Sequence, residues 1–382
     1  MQQIKIYISI VFLFAVLSAC KQEIADKNST KTEQIIETIK EQFVPDKRDH
    51  IFNITITTSG KNTVIKGETS HTKVQFAIDS LMKVNEIDFI DSIVFLPNSS
   101  VENKPLAIIN LSVANLRKSA SLSTELISQV LMGQIVKLLK KEGNWYLAQT
   151  PDGYFGWIHK YALTTKTEME IKEWKNSEKL MVTSIYTHVF FEPTLHSEPV
   201  TDLVIGNIIK LKTKRGNYYV VELPDGRNGF LKEDKAETYK DWQAKINATP
   251  ENIENTAKKF LGVPYMWGGT SAKHLDCSGF TQTVYKLNGI QLKRDASQQV
   301  KMGIEIDTTN HFAQMQPGDL LFFGRKATKN SKEKASHVGI YIGDTEFIHE
   351  AGLVKINSLD STRKNYNEGR LRTFLRVKRI LK

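Results

Sequence analysis

The chain has 382 residues, 40% of them hydrophobic and 25% charged, with a net charge of +10. It is too long for one ordinary domain, so two to four are expected, and its composition is that of a soluble globular protein. The basic excess is spread along the chain as a solvated face, without zinc spacing, an RNP-like run or a basic helix ahead of heptads, so nucleic acid is not an expected partner.

The first twenty residues read as an export signal. Lys5 supplies a short positive region, and Ile6 to Leu17 is apolar apart from Ser9, too short for an ordinary transmembrane helix. Leu17-Ser18-Ala19-Cys20 resembles the bacterial lipobox. That resemblance implies a signal within residues 1–20 cut ahead of Cys20, which is acylated as the new N-terminus and holds the exported chain to the cell envelope by its lipid. Lasting attachment needs more than one acyl chain, which a diacylglycerol plus an amide-linked chain provides. The plainer alternative is a cleaved signal with Cys20 lost. Lys21 is not the Asp that resembles an inner-membrane retention mark, so the outer membrane is favoured where the envelope has one. The chain has two cysteines, so with Cys20 lipidated or removed Cys277 has no disulfide partner, and an exported lone thiol suggests a use for it.

Residues 21–105 read as a small α/β domain. The pattern predicts helices over Thr32 to Phe43 and Val74 to Val84, and strands over Ile51 to Thr57, Val64 to Gly67 and Ile87 to Leu96. This order weakly resembles a BON-type domain, and no function is assigned to it.

A repeat at an offset of 73 follows. Gly133 meets Gly206, Gly143-Asn144-Trp145 meets Gly216-Asn217-Tyr218, and Pro151-Asp152-Gly153 meets Pro224-Asp225-Gly226. β-rich runs lie between these turn sequences, which predicts two small barrels of short strands. The pattern resembles the bacterial SH3 domain, in copies at 106–165 and 178–238. Such modules serve as spacers, as wall binders or as walls of a substrate cleft.

The last domain, 245–382, opens with Thr249 as N-cap and Pro250 in the first turn of a helix running to about Phe260. After a glycine-punctuated loop, Leu275-Asp276-Cys277-Ser278-Gly279-Phe280 passes into helical spacing at Phe280, Val284 and Leu287, which puts Cys277 at a helix N-terminus. Exposed N–H groups and the helix dipole favour a thiolate there and can hold an oxyanion. His337 begins an alternating strand, and His349 lies on the next strand across a Gly343-Asp344 turn, so His349 is placed to orient the far nitrogen of His337. The same three residues offer ligands to zinc, a reading set aside in favour of thiol catalysis. His274 and His311 lie in loop-like sequence and are taken as structural or exposed.

Trp267-Gly268-Gly269, Asp276-Cys277-Ser278-Gly279-Phe280, Pro317-Gly318-Asp319-Leu320, Ser336-His337-Val338-Gly339-Ile340-Tyr341 and His349 occur in the order of the NlpC/P60 family, which the segment resembles. The resemblance implies a papain-like fold and a cysteine peptidase of cell-wall peptides. It makes Cys277 the nucleophile, His337 the base, His349 the orienting residue and Tyr265 a neighbour of the oxyanion. The full layout is multidomain α+β, with two SH3-like barrels ahead of the catalytic domain. It resembles the γ-D-glutamyl-diamino-acid dipeptidyl-peptidases, which act on stem peptides with a free N-terminal L-Ala. That likeness implies amine recognition by Glu125, Tyr154 and Asp276, and binding of the D-Glu part by Ser278 and the stretch Arg294 to Ser297, with Ser297 in contact. No cofactor or metal is expected, the expected partners are peptidoglycan-derived peptides and the membrane holding the anchor, and a monomer is expected. An endopeptidase or amidase acting on intact wall and a non-catalytic wall-binding lipoprotein are the alternatives. The sequence leaves diaminopimelate and lysine open as the third residue of the substrate.

Overall fold

The structure, a computed structural model, describes residues 29–59, 62–310 and 312–381. The export-signal reading, with Cys20, and the His311 assignment lie outside the described residues.

Residues 29–100 form one unit. Helix α1 spans 29–43, β1 is Phe52–Ser59, β2 Asn62–Thr69, α2 Lys73–Val84 and β3 Phe89–Phe95. β1 and β2 form an antiparallel hairpin, and α2 carries the chain over to β3, which pairs parallel to β2. Val74, Ile78 and Met82 recur every fourth residue along α2 and are buried with Ile35, Ile36 and Ile39 of α1. The unit closes at Ser100 rather than at the expected 105. The reason is that Val101 is buried in the core of the following barrel, and the Pro105 carbonyl accepts from the Leu138 amide.

The first barrel contains β4 (Leu106–Ile109), β5 (Val113–Arg117), β6 (Leu126–Leu131), β7 (Ile135–Glu142), β8 (Trp145–Gln149), β9 (Phe155–His159) and β10 (Leu163–Lys166). Helix α3, Glu168–Asn176, leads to β11 (Lys179–Val182), β12 (Tyr186–Phe190), β13 (Pro199–Val204), β14 (Ile208–Arg215), β15 (Tyr218–Glu222), β16 (Asn228–Lys232) and β17 (Ala236–Thr238). The first sheet runs β10-β4-β7-β8-β9-β5-β6, and the second repeats that order strand for strand as β17-β11-β14-β15-β16-β12-β13. The repeated turn glycines have a conformational cause. Gly143 and Gly216 both stand at φ 56°, a left-handed value that glycine adopts without steric cost. The two sheets touch at Gly133, where an added Cβ would lie 2.0 Å from the Ile208 carbonyl oxygen, so only glycine fits.

The C-terminal region adds α4 (Tyr239–Lys245), α5 (Pro250–Lys258), the short pair β18 (Thr270–Ser271) and β19 (His274–Leu275), α6 (Cys277–Leu287) and α7 (Ala296–Gln299). A six-stranded sheet follows: β20 (Ile304–Ile306), β21 (Leu320–Arg325), β22 (Lys334–Gly343), β23 (Glu346–Glu350), β24 (Val354–Ser358) and, after α8 (Glu368–Thr373), β25 (Phe374–Arg379). Its order is β20-β25-β21-β22-β23-β24. Thr249 caps α5 through the Asn252 amide at 3.2 Å, with Pro250 at its first position. Phe280, Val284 and Tyr285 of α6 are buried with Phe322, Val338, Ile340 and Ile348 of the sheet. Leu321, Phe323, Tyr341 and Phe347 form a second core with Val377, so the sheet is covered on both faces and reads as continuous apolar runs.

Candidate active site

Cys277 is the first residue of α6, and Asp276 is its N-cap, accepting from the Gly279 amide at 2.7 Å. The thiol is half-buried, with its sulfur 4.0 Å from the Ser336 carbonyl oxygen of β22. Gly279 is required by close approach: a Cβ there would stand 1.9 Å from the Gly269 carbonyl oxygen. The loop carrying Tyr265 to Gly269 is thereby seated against the head of the helix.

His337 and His349 meet across β22 and β23. The Nε2 of His337 lies 2.7 Å from the Nδ1 of His349, with the rings edge-on at 89°. Gly339 is paired with His349 in register, and a Cβ on Gly339 would come within 3.0 Å of the His349 Cβ, so the glycine two residues after His337 leaves space for the second imidazole. His349 Nε2 in turn lies 2.8 Å from the Oδ1 of Asn357 on β24.

A cleft of about 350 Å³ gathers Cys277, Ser278, Asp276 and His337 with Tyr265 and Ser297. The same cleft is lined from the first barrel by Glu125 and Tyr154. His349 stands behind His337, fully buried. His274 sits half-buried on β19 and does not line this cleft. Glu125 Oε1 accepts from the Trp267 indole at 2.9 Å and its other oxygen lies 3.3 Å from Lys118 Nζ. The Tyr154 hydroxyl donates to Asp295 Oδ2 at 3.3 Å.

Asp276 is more committed than the sequence suggests. Its Oδ2 accepts from the Gly268 amide at 2.9 Å, and Arg294 grips both oxygens at 3.1 and 2.5 Å, with side-chain exposures of 2% for Arg294 and 8% for Asp276. Arg294 also reaches Ser278 Oγ at 3.1 Å and Ser128 Oγ of the first barrel at 3.0 Å. Burial works against the guanidinium's charge, but the Asp276 carboxylate raises its pKa above the ordinary value. These bonds leave Asp276 a structural anchor of the helix head, with little free valence for a substrate ammonium.

Burial runs against the thiolate that the helix head favours. Burial, aided by the Asp276 charge, pushes the Cys277 thiol up to about 11, although the Val338 and Ser278 amides and Arg294 pull the other way. Burial and the charge of Arg370 hold His337 well below its ordinary value of 6.5, and burial brings His349 down to about 4. Both shifts favour the uncharged forms, thiol and neutral imidazole, and the proton moves as sulfur attacks. Tyr265 is pushed up to about 12, first by burial and then by the charges of Cys277, Asp276 and Glu350, so its hydroxyl stays a donor.

The NlpC/P60 family pattern matches residues 262–376, and the bacterial SH3 pattern matches residues 112–164. The chain is 32% identical over 235 residues to a γ-D-glutamyl-L-lysine dipeptidyl-peptidase of Bacillus cereus, an alignment covering 59% of this chain and 68% of that one. The chain belongs to the NlpC/P60 family. It is also 28% identical over 276 residues to dipeptidyl-peptidase 6 of Lysinibacillus sphaericus, covering 69% of this chain and 94% of its relative. A crystal structure of an NlpC/P60 family protein from Bacillus cereus aligns with a TM-score of 0.62 at 26% identity, covering 72% of this chain and 100% of the other. The family is one of peptidoglycan peptidases, and the multidomain architecture of an SH3-like domain with a C-terminal NlpC/P60 domain holds here.

Three residues of this NlpC/P60 site escaped the sequence reading. Asn357 touches His349 but lies eight residues further on, and its only local signal is an alternating polar position on a strand next to the histidine strand. Trp267 belongs to a motif, yet its contact with Glu125 spans two domains. Glu350 is fully buried, neither carboxylate oxygen has a hydrogen-bond partner of good geometry among the described residues, and burial pushes it up to about 7.

Proposed function

We propose that the chain hydrolyses the bond between γ-D-Glu and the diamino acid of peptidoglycan stem peptides whose N-terminal L-Ala carries a free amine. Cys277 is the nucleophile, His337 its base, and His349 the residue behind the base. As sulfur bonds to the γ-carbonyl carbon, the thiol proton passes to the imidazole. The oxyanion is held by helix-head N–H groups and the Tyr265 hydroxyl. The imidazolium then protonates the leaving amine as the C–N bond breaks, and water, deprotonated by the same imidazole, cleaves the thioester.

The observation that carries this reading is that Glu125 and Tyr154 of the first barrel line the same cleft as Cys277 and His337. A carboxylate and a phenol at a cleft end suit a primary ammonium, and an acylated amine brings no charge to that carboxylate. The name of the Bacillus cereus relative, a γ-D-glutamyl-L-lysine dipeptidyl-peptidase, supports the same bond specificity. The second barrel, with its matching strand order, is proposed as another SH3-like module, and Cys20 as the acylated residue holding the exported chain to the envelope.

The deciding experiment offers L-Ala-γ-D-Glu-L-Lys with a free and with an acetylated N-terminus. Cleavage confined to the free amine supports the reading, and equal rates overturn it in favour of an endopeptidase. A Cys277→Ser variant with full activity overturns the mechanism.

A further inference from the structure

We infer that Asn357 is a positioning residue: through His349 it fixes His337 in the tautomer protonated at Nε2, leaving Nδ1 as the bare nitrogen that accepts the Cys277 proton. The inference rests on the reading of Cys277 and His337 as nucleophile and base. It starts from two amide groups whose orientation is set by main-chain partners.

Asn357 donates through Nδ2 to the Asn365 carbonyl oxygen at 2.9 Å, which turns its Oδ1 toward His349. Asn367 accepts at Oδ1 from the Arg370 amide at 3.0 Å, which leaves its Nδ2 to donate to the same Asn357 Oδ1 at 3.2 Å. Flipping either amide would set oxygen against a main-chain carbonyl or nitrogen against a main-chain N–H, so the network admits one assignment. The group facing His349 Nε2 is therefore an acceptor, and Nε2 carries the hydrogen across the 2.8 Å contact.

The consequence passes inward. A neutral imidazole has one N–H and one bare nitrogen, so His349 Nδ1 is bare. At 2.7 Å it takes a hydrogen from His337 Nε2, and His337 Nδ1 is then bare too. That nitrogen is the one not turned to His349, on a ring that lines the cleft with Cys277. Burial and the nearby cations keep both imidazoles neutral, the condition on which this argument depends. Without the Asn357 oxygen, His349 is free to carry its hydrogen on Nδ1. It then donates to His337 Nε2, and the hydrogen of His337 moves to Nδ1, where it blocks acceptance of the thiol proton.

The test uses the full chain labelled with 15N-histidine, observed by long-range 1H–15N NMR at neutral pH, with kinetics on L-Ala-γ-D-Glu-L-Lys. Wild type is expected to show His337 protonated at Nε2. Asn357→Leu is expected to mix or invert that pattern and lower kcat about 100-fold, the scale of general-base catalysis, with KM little changed. Asn357→Gln keeps a neutral amide oxygen as acceptor and is expected to retain the wild-type tautomer and most of the rate. The inference is overturned if wild-type His337 carries its proton on Nδ1, or if Asn357→Leu keeps both the wild-type spectrum and the wild-type kcat. Should Asn357→Leu not fold, the wild-type spectrum and Asn357→Gln decide the matter. The spectra need no substrate, so loss of the peptidase reading, seen as full activity in Cys277→Ala, is distinguishable from loss of the tautomer assignment.

Discussion

The Trp267 indole and the Glu125 carboxylate join the catalytic domain to the first barrel, donor to acceptor at 2.9 Å, at the end of the cleft that holds Cys277. The bond fixes the carboxylate in place while leaving it accessible. In Glu125→Gln the amide oxygen can still accept from Trp267, so the domain contact survives and only the charge is lost. Hydrogen bonds to charged groups contribute about 1.5–3 kcal/mol, so kcat/KM for a peptide with a free N-terminus is expected to fall about 10- to 100-fold. The rate on the acetylated peptide should hardly move. An unchanged ratio between the two substrates would remove Glu125 from amine recognition.

The protonation states of the catalytic pair set two pH expectations. His337 is held well below 6.5 and His349 is brought to about 4, both by burial. The folded chain therefore binds fewer protons than the unfolded chain across that interval. With respect to these two groups, stability is full above pH 6.5 and declines as pH falls toward 4. Denaturant midpoints measured between pH 7.5 and 4 check this. The thiol, pushed up to about 11, should react slowly with iodoacetamide at pH 7 and faster as pH rises. Rapid alkylation at neutral pH, with an acid limb of kcat/KM near 6.5, would mean that a thiolate–imidazolium pair exists at rest.

Arg294 is predicted to matter for folding more than for chemistry. Its guanidinium is the buried counter-charge of Asp276, and it also ties the catalytic domain to Ser128 of the barrel. Arg294→Met strands a buried carboxylate at the helix head, which costs about 3–5 kcal/mol. Chemical denaturation should show the loss. Adding Asp276→Asn should recover part of it, because the uncompensated charge is gone and the two changes are not additive. Strict additivity would show that the pair is not coupled.

Much of this was legible in the residues because local rules and tertiary demands agree. Cys277 heads its helix because Asp276 is a good N-cap and apolar spacing begins at Phe280. The hairpin holding His337 and His349 follows from alternation around Gly343-Asp344. The α2 stripe of Val74, Ile78 and Met82 is likewise a sequence pattern before it is a core. What was not legible depends on three-dimensional neighbours. The full engagement of Asp276 requires Gly268 and Arg294, which come from loops on either side of α6. The upward push on the Cys277 thiol follows from burial, and the sequence shows the helix terminus but not the depth of the site. Asn357 has the ordinary appearance of a polar strand residue until β24 is laid beside β23.

Glu350 offers a separate test of the interior beside the site. Its carboxylate is fully buried and neither oxygen has a hydrogen-bond partner of good geometry among the described residues. Burial, with a smaller push from Asp276, raises it to about 7 from an ordinary 4.5, while Lys355 and the Gly352 amide pull the other way. The folded state therefore holds a proton that the unfolded chain releases, and stability is fully present below pH 4.5 with respect to this group. It is lost as pH rises through about 7. Glu350→Gln keeps the shape without the titration, so it should match wild type in stability near pH 5 and exceed it at pH 8.5. Denaturant unfolding at those two values measures the difference. A gap that does not grow with pH would mean that the carboxylate has found a cation or water in solution. Because Glu350 adjoins His349 in sequence, the variant's kcat should be followed as well: if burial of an uncompensated charge is its only effect, kcat near pH 6 stays at the wild-type value while unfolding at pH 8.5 is postponed.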